Sequence, residues 1–290
     1  MLSPLPTNSI EAVVQMALLE DAPWGDLTSQ TLIPSGASVS AELVARESGV
    51  LSGADVFTEA MRQTDGAILT RFAVADGEHF RSGDVLASIQ GPARAVLQAE
   101  RVALNFVQRM SGIATMTARF VAEVVGSKAR IVDTRKTTPG LRLLERYAVR
   151  CGGGHNHRFS LSDAVLAKDN HLAILLADDT RTLTVALREV RQSLPHTAHL
   201  EVEVDRPDQI EAVLAACVDT IMLDNFSLDA LRAGVSTIAG RALVEASGSV
   251  TLDTVGAIAR TGVDIISVGA LTHSVRSLDL GLDVRAGDAA

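Results

Sequence analysis

The amino-acid sequence predicts an α/β protein whose larger, C-terminal part is a barrel of parallel strands. Two observations carry the prediction. From Arg130 onward short apolar strands recur, with helix-patterned segments between the later ones. Each strand is also followed by a polar residue or a glycine, at the rim where barrel proteins keep their chemistry. The length, 290 residues, suits one large barrel domain or two ordinary ones.

Up to about Leu97 the chain reads as a mixed region. Ile10–Glu20 has helical spacing, while Val39–Val44 and Ala67–Val74 alternate as strands do. The stretch from Asp76 to Leu86 is a turn and short strand punctuated by glycines, read as an antiparallel sandwich hairpin. A carrier-type swinging arm would need a lysine at that turn, and none is there. Residues from Ala93 to about Val125 form a long helix-patterned stretch, expected to break near Ser111-Gly112 and to bridge the two halves.

The barrel strands are expected at Arg130–Val132, Ala164–Ala167, Leu200–Val204, Thr220–Leu223, Ala242–Ala246 and Asp264–Val268. Helices are expected at Thr180–Ser193, Asp208–Ala216, Ser227–Ile238 and Leu252–Arg260. Six or seven such units point to a barrel that need not close fully.

Composition excludes several classes. The net charge of −9 and the 3% aromatic content argue against a nucleic-acid binder, which needs a basic field or stacking rings. Mean hydropathy is +0.23, but apolar runs such as Ala173–Ala177 fall far short of a membrane span. The start, MLSPLPTNSIEAVV, lacks the basic and apolar regions of a signal peptide. Cys151 and Cys217 are too few for a disulfide framework or a zinc cage, so a reducing cytoplasm is expected. Cys151 reads as a packing residue, with no base arranged beside it.

The rim residues carry the chemistry. Asp133 to Gly140 follow the first barrel strand and Lys168-Asp169-Asn170-His171 the second. Glu203 and Asp224-Asn225 end the next two, and Ser247-Gly248 and Gly269 follow the last two. Arg135, Lys136 and Lys168 aim at the barrel mouth and imply a multiply anionic ligand, phosphate included. Arg146 and Arg150, on a helix expected at Leu141–Val149, read instead as a solvated face.

In Leu200–Val204, period-2 spacing turns Glu201 and Glu203 into the barrel. Glu201 fits an ion pair with a barrel lysine; Glu203 and Asp224 can meet a hard divalent cation and ribose hydroxyls. Ser247-Gly248-Ser249 and Gly269-Ala270-Leu271-Thr272-His273 have the make-up of a phosphate cradle. Gly152–Gly154 read as a turn or a flexible substrate loop. His155 and His157 could form a metal pair, but Arg158 beside them would repel the ion, so anion binding by His157 and Arg158 is the better reading.

Together, Thr134–Arg142, Gly152–Arg158 and Lys168–His171 resemble the quinolinate phosphoribosyltransferase family of type II phosphoribosyltransferases, decarboxylating enzymes of NAD biosynthesis. The similarity spans nearly the whole chain, from Trp24–Thr28 through Glu100–Gly112 and Leu223–Asn225 to Glu245–Gly248 and Gly269–His273. It implies an N-terminal α/β sandwich at 1–107, onto which the tail 275–290 packs back, and an incomplete TIM-like barrel of about seven strands at 108–274. It also implies a homodimer, with Arg101 of the partner subunit completing each site. The implied substrates are quinolinate and phosphoribosyl pyrophosphate, with Mg²⁺ as cofactor and no nucleic-acid or membrane partner.

By the same resemblance, Arg135, His157 and Arg158 hold the acceptor's carboxylates, and Lys136 and Lys168 are lysines of the catalytic site. Glu203 and Asp224 serve the ribose and Mg²⁺, and Ser247, Gly248, Gly269 and His273 cradle the 5′-phosphate. Ser160 and Ser249 depart from the family's usual residues. Alternatives are a paralogue associated with molybdenum uptake, a metal-dependent barrel hydrolase using His155 and His157, and a non-catalytic binder of the same ligands.

Overall fold

A computed structural model of the chain describes residues 2–177 and 181–285. They gather into two compact units, one running up to Ala118 with Thr137–Gly153 and the chain from Ser274 onward, the other comprising Arg119–Lys136 and Gly154–His273. The expected domain boundary at 107/108 falls inside a continuous helix. Among the described residues no helix is long and apolar enough to cross a membrane.

The first unit opens with α1 (Thr7–Asp21) and α2 (Leu27–Leu32), followed by β1 (Ser38–Ala45), β2 (Gly49–Val50), α3 (Ala54–Thr64), β3 (Leu69–Phe72), β4 (His79–Phe80) and β5 (Val85–Pro92). α4 (Ala93–Glu123) follows. β1 buries Ala41, Leu43 and Ala45 at alternate positions, as a strand with one covered face must. α3 buries Val56, Phe57, Ala60 and Met61, and Phe57 meets Phe72 edge-on with ring centroids 5.7 Å apart.

The segment from Asp76 to Leu86 does not form the expected hairpin. β4 pairs with β2, while β5 pairs with β1 and β3 in a different sheet. Asp76 instead caps a helix: its carboxylate accepts from the N–H groups of Gly53 and Ala54 at the start of α3, and from the Tyr147 hydroxyl.

α4 is unbroken at Ser111-Gly112, contrary to expectation. Ser111 is fully buried and its hydroxyl bonds Ser52. Gly112 is there for close packing, since a Cβ would stand 2.3 Å from the carbonyl oxygen of Arg276. Helix propensity is overridden by a tertiary contact far away in sequence.

After α4 come β6 (Arg130–Val132) and α5 (Arg142–Cys151), the latter within the first unit. Arg146, expected on a solvated face, is buried, as is Glu145, whose carboxylate pairs with Arg109. Burial pushes the Cys151 thiol up to about 12, which keeps it protonated and unreactive.

The second unit continues with β7 (Val165–Ala167), α6 (Asp169–Leu175), α7 (Leu183–Ser193), β8 (Leu200–Val204), α8 (Ile210–Leu214), β9 (Thr220–Asp224) and α9 (Leu228–Ile238). It ends with β10 (Leu243–Ser247), α10 (Leu252–Ala259), β11 (Ile265–Ser267) and α11 (Ala270–His273). The expected start of the helix at Thr180 lies outside the described residues; α7 is capped by the Thr182 hydroxyl. Ser227 caps α9 in the same way.

Six parallel strands take the order β6-β11-β10-β9-β8-β7. A single parallel bridge between Val132 and His155 adds a seventh, one-residue strand beside β6. Finally β12 (Leu280–Arg285) pairs antiparallel with β1, Leu43 opposite Leu282, in the sheet of the first unit, ordered β12-β1-β5-β3.

Register decides what faces the barrel interior. Glu203 and Glu245 both stand opposite Met222, and Asp224 stands opposite Ser247. Alternation along β8 therefore turns Glu201 inward with Glu203, as the sequence predicts.

Candidate active site

A cavity of about 300 Å³ opens at the carboxyl ends of these strands. Thr134, Arg135, Lys136, His157, Arg158, Lys168 and Ser247 line it, with Leu166, Met222, Glu245 and Ser267. Five of its residues are cations or histidine in a chain of net charge −9, so the local field opposes the global one. Burial and the neighbouring Arg135 charge push the Arg158 guanidinium below its usual range, a sign of crowded positive charge that an anion would relieve. A roomier cavity of about 510 Å³ lies at β7, α6 and α7, but its wall is mostly leucine, valine and alanine.

Lys168 ends β7 and begins α6, where its N–H donates to the His171 ring at 3.1 Å. Its side chain is left to form an ion pair with Glu203 of β8. The Glu203 side chain is 13% exposed and that of Lys168 45%, so the pair sits at the wetted edge of the site.

Two glycine turns complete the rim. Gly248 has φ 99°, and a Cβ there would lie 2.1 Å from the Asn225 side-chain oxygen. Only glycine fits. Asn225 in turn donates its side chain to the Asp224 carboxylate at 2.7 Å and its N–H to the Ser247 carbonyl at 2.9 Å, which ties the end of β9 to the end of β10. At Gly269 a Cβ would sit 3.0 Å from His273 Nε2 and 3.1 Å from Lys136 Cδ, so the late loop, His273 and Lys136 converge. The Thr272 hydroxyl fixes the arrangement by donating to the Lys136 carbonyl at 2.7 Å.

Below this rim is a drier cluster. His157 Nε2 lies 3.2 Å from Glu201 and 3.5 Å from Glu245, whose residues are 3% and 1% exposed. Glu201 therefore pairs with a histidine, not the barrel lysine the sequence suggests, because Lys168 reaches Glu203 instead. Burial opposes charge on the imidazole, but hydrogen bonds to Glu201 and Glu245 prevail and raise it to about 10. Burial likewise raises Glu201. The His157–Glu201 pair thus holds its protons more tightly than the free side chains would.

Geometry places the ring proton. Arg158 N–H donates to His157 Nδ1 at 2.7 Å, which needs a lone pair there and puts the ring's hydrogen on Nε2, between the carboxylates. A second proton held by the pair then sits toward Glu201, where burial favours the neutral carboxyl.

Among the described residues, His157, Glu201 and Glu245 are the only three such groups close enough to hold a metal, with ligand atoms within 4.8 Å of one another. The tautomer argues against it, since Nε2–H has no lone pair to give. His155 is not in the group, which removes the partner that a His155–His157 hydrolase requires.

Of the residues singled out from sequence, Arg135, Lys136, His157, Arg158, Lys168 and Ser247 line the cavity. Glu203 joins them through Lys168; Gly269 and His273 join through Lys136; Asp224 and Gly248 meet through Asn225. Arg101 lies in α4 of the other unit, exposed. Glu245 was missed, although period 2 in Leu243–Ser247 puts it on the same face as Ser247. Asp133, which follows the first barrel strand, is fully buried and not exposed at the rim, and accepts from His157 N–H at 2.8 Å.

Fold and cavity together define a barrel protein with a cation-lined cavity at the strand ends, of a make-up suited to phosphate or carboxylate anions. Residues 26–111 match the N-terminal domain of quinolinate phosphoribosyl transferase, and residues 113–283 match its C-terminal domain. The chain is 44% identical to the nicotinate-nucleotide pyrophosphorylase [carboxylating] of Mycobacterium leprae, over 98% of this chain and 100% of that one. It is 39% identical to quinolinate phosphoribosyltransferase [decarboxylating] 1b of Nicotiana tabacum, over 96% and 83%. The solved structure of NadC from Streptococcus pyogenes superposes with a TM-score of 0.91 at 39% identity, covering 98% of this chain and 99% of that one. The chain belongs to the quinolinate phosphoribosyltransferase family.

Proposed function

We propose that the chain converts quinolinate and phosphoribosyl pyrophosphate to nicotinate mononucleotide, CO₂ and pyrophosphate, as a decarboxylating pentosyltransferase of NAD biosynthesis. The convergence of Arg135, Lys136, Arg158 and Lys168 in one cavity supports the reading most, because both substrates are multiply anionic. Arg135 and Arg158 grip the acceptor's two carboxylates, with Arg101 of the partner subunit in a homodimer. Both nitrogens of His157 already have protein partners, so its share in acceptor binding passes through Arg158. Ser247, Gly248, Gly269 and His273 receive the 5′-phosphate.

As pyrophosphate departs, positive charge builds at the ribose anomeric carbon and negative charge on the leaving group. Glu203 and Asp224 face the first; Lys136 and Lys168 face the second. The acceptor's ring nitrogen supplies the electron pair for the new bond to carbon. Holding the two reactants in register is worth about 7–11 kcal/mol in favourable cases. N-ribosylation makes the ring cationic, so the adjacent carboxylate leaves as CO₂ and its electron pair stays on the ring carbon as an ylide, which then takes a proton. No dedicated decarboxylation base is required.

Glu203 and Asp224, on neighbouring strands, offer hard oxygen donors that suit Mg²⁺ together with the pyrophosphate oxygens. The ion would neutralise the charge of the leaving group. The setting we propose is the cytoplasm.

The test mixes purified protein, quinolinate, phosphoribosyl pyrophosphate and Mg²⁺ and follows nicotinate mononucleotide and pyrophosphate. Both products should appear in equal amounts and stop on chelation of the metal. A parallel run with nicotinate in place of quinolinate should give little product. Tight quinolinate binding without pyrophosphate release would point to the non-catalytic binder or to the paralogue associated with molybdenum uptake.

A further inference from the structure

We propose that Glu201 and Glu245 are positioning residues of this site: they hold the His157 ring by its Nε2–H, and through its Nδ1 that ring fixes the backbone of Arg158 in the acceptor pocket. The inference rests on the transferase reading and adds to it two residues which that reading does not use.

Four observations carry it. The Glu201 and Glu245 carboxylates approach one ring nitrogen at 3.2 and 3.5 Å, from β8 and β10, strands that are not neighbours. Each keeps a second oxygen, Oε1, that is fully buried and has no hydrogen-bond partner, so within the protein the ring nitrogen is what each carboxylate grips. The opposite edge of the ring accepts from Arg158 N–H at 2.7 Å. The same short segment is held from a third side, because His157 N–H donates to Asp133 and His155 bridges to Val132 of β6.

A loop normally pays for its mobility with imprecision, and a guanidinium on it would be a poor anchor for a carboxylate. Here the loop is tied to β6, β8 and β10 at once. The Arg158 side chain is itself anchored, Nη1 donating to the Ala164 carbonyl at 2.9 Å. Two buried acids would be a poor choice for mere stability, since an apolar pair fills such space without desolvation penalty. They are the right choice for gripping an N–H from two directions, which sets both the ring's tilt and its tautomer.

The prediction is a chain of dependence: Glu201 and Glu245 act on the ligand only through His157. Glu245→Ala and His157→Ala should each weaken quinolinate binding, measured by calorimetry without the second substrate, by about tenfold or more, the size expected when a buried hydrogen-bond partner is lost. The double variant should bind within about threefold of the weaker single one, because both changes cut the same chain. kcat should fall less than affinity. Glu245→Gln, which still accepts from the ring and opens no space, should bind within about threefold of the parent.

Multiplicative losses in the double variant would overturn the proposal, as would parental affinity in Glu245→Ala. A tenfold or greater loss in Glu245→Gln would do the same, and so would a stoichiometric metal ion that this substitution removes. Should Glu245→Ala fail to fold, the Gln variant alone decides. Failure of the parent to make nicotinate mononucleotide would strike at the transferase reading and leave the calorimetric result standing.

Discussion

Glu201 and Glu203 sit two residues apart on one strand and face the same interior, yet their surroundings differ in every respect that matters chemically. Glu203 is at the edge, paired with a lysine that is itself nearly half exposed. Glu201 is 3% exposed, sees no lysine, and meets a histidine shared with Glu245. An acid whose partner is exposed and charged can answer a change of charge during a reaction. An acid sealed beside a buried ring N–H can only hold something still. Period-2 geometry thus puts a wetted carboxylate at the rim and a sealed one beneath it on a single strand.

Substitutions that reach the rim should have the largest effects. Lys168→Ala strips Glu203 of its partner and removes a cation from the cavity; kcat should fall by about 10²–10³, the usual toll for deleting a group aimed at developing charge. Near-parental turnover would erase the distinction between the two levels. Gly248→Ala comes next. Its φ of 99° and the Asn225 oxygen 2.1 Å from the added Cβ force the turn to move, and the KM for phosphoribosyl pyrophosphate should rise about tenfold while quinolinate affinity stays near the parent's. Equal weakening of both ligands would mean that the phosphate turn and the acceptor pocket are not separable. Smallest is Ser249→Gly. Ser249 holds φ 46°, a left-handed conformation that glycine adopts freely, so the substitution should raise the melting temperature by about 2–4 °C at most, part of the gain being lost to glycine's freedom in the unfolded chain. A fall in melting temperature would show that the serine side chain stabilises the turn.

Much of the barrel was legible because its signals are local. Arg130–Val132 and Leu200–Val204 appear in the structure with the ends expected from apolar runs alone, and the polar residue after each strand marks the rim. What escaped depends on distant partners. The Ser111-Gly112 pair looks like a helix break until Arg276 is seen against it. Arg146 looks solvated on a helical wheel, although α5 belongs to the compact first unit. α3 and β12 carry no sharp motif, and β12 is held by pairing with β1 across more than two hundred residues.

Within the site, the cations and glycines were readable one by one from type and position. The family resemblance gave them roles. Who pairs with whom was not readable: Lys168 could have served either Glu201 or Glu203, and sequence spacing does not choose between strand positions two apart. Glu245 lay in plain view in Leu243–Ser247, but a single acid in an apolar strand says little until His157 arrives from another segment.

Steady-state kinetics of Glu203→Ala and Glu201→Ala, measured side by side, test the division of labour most directly. Glu203→Ala should lose about 10² or more in kcat with the KM for quinolinate within about threefold of the parent. Glu201→Ala should show the reverse, a quinolinate KM raised about tenfold with most of kcat kept. Two variants with the same pattern of loss, or the pattern exchanged between them, would contradict the account.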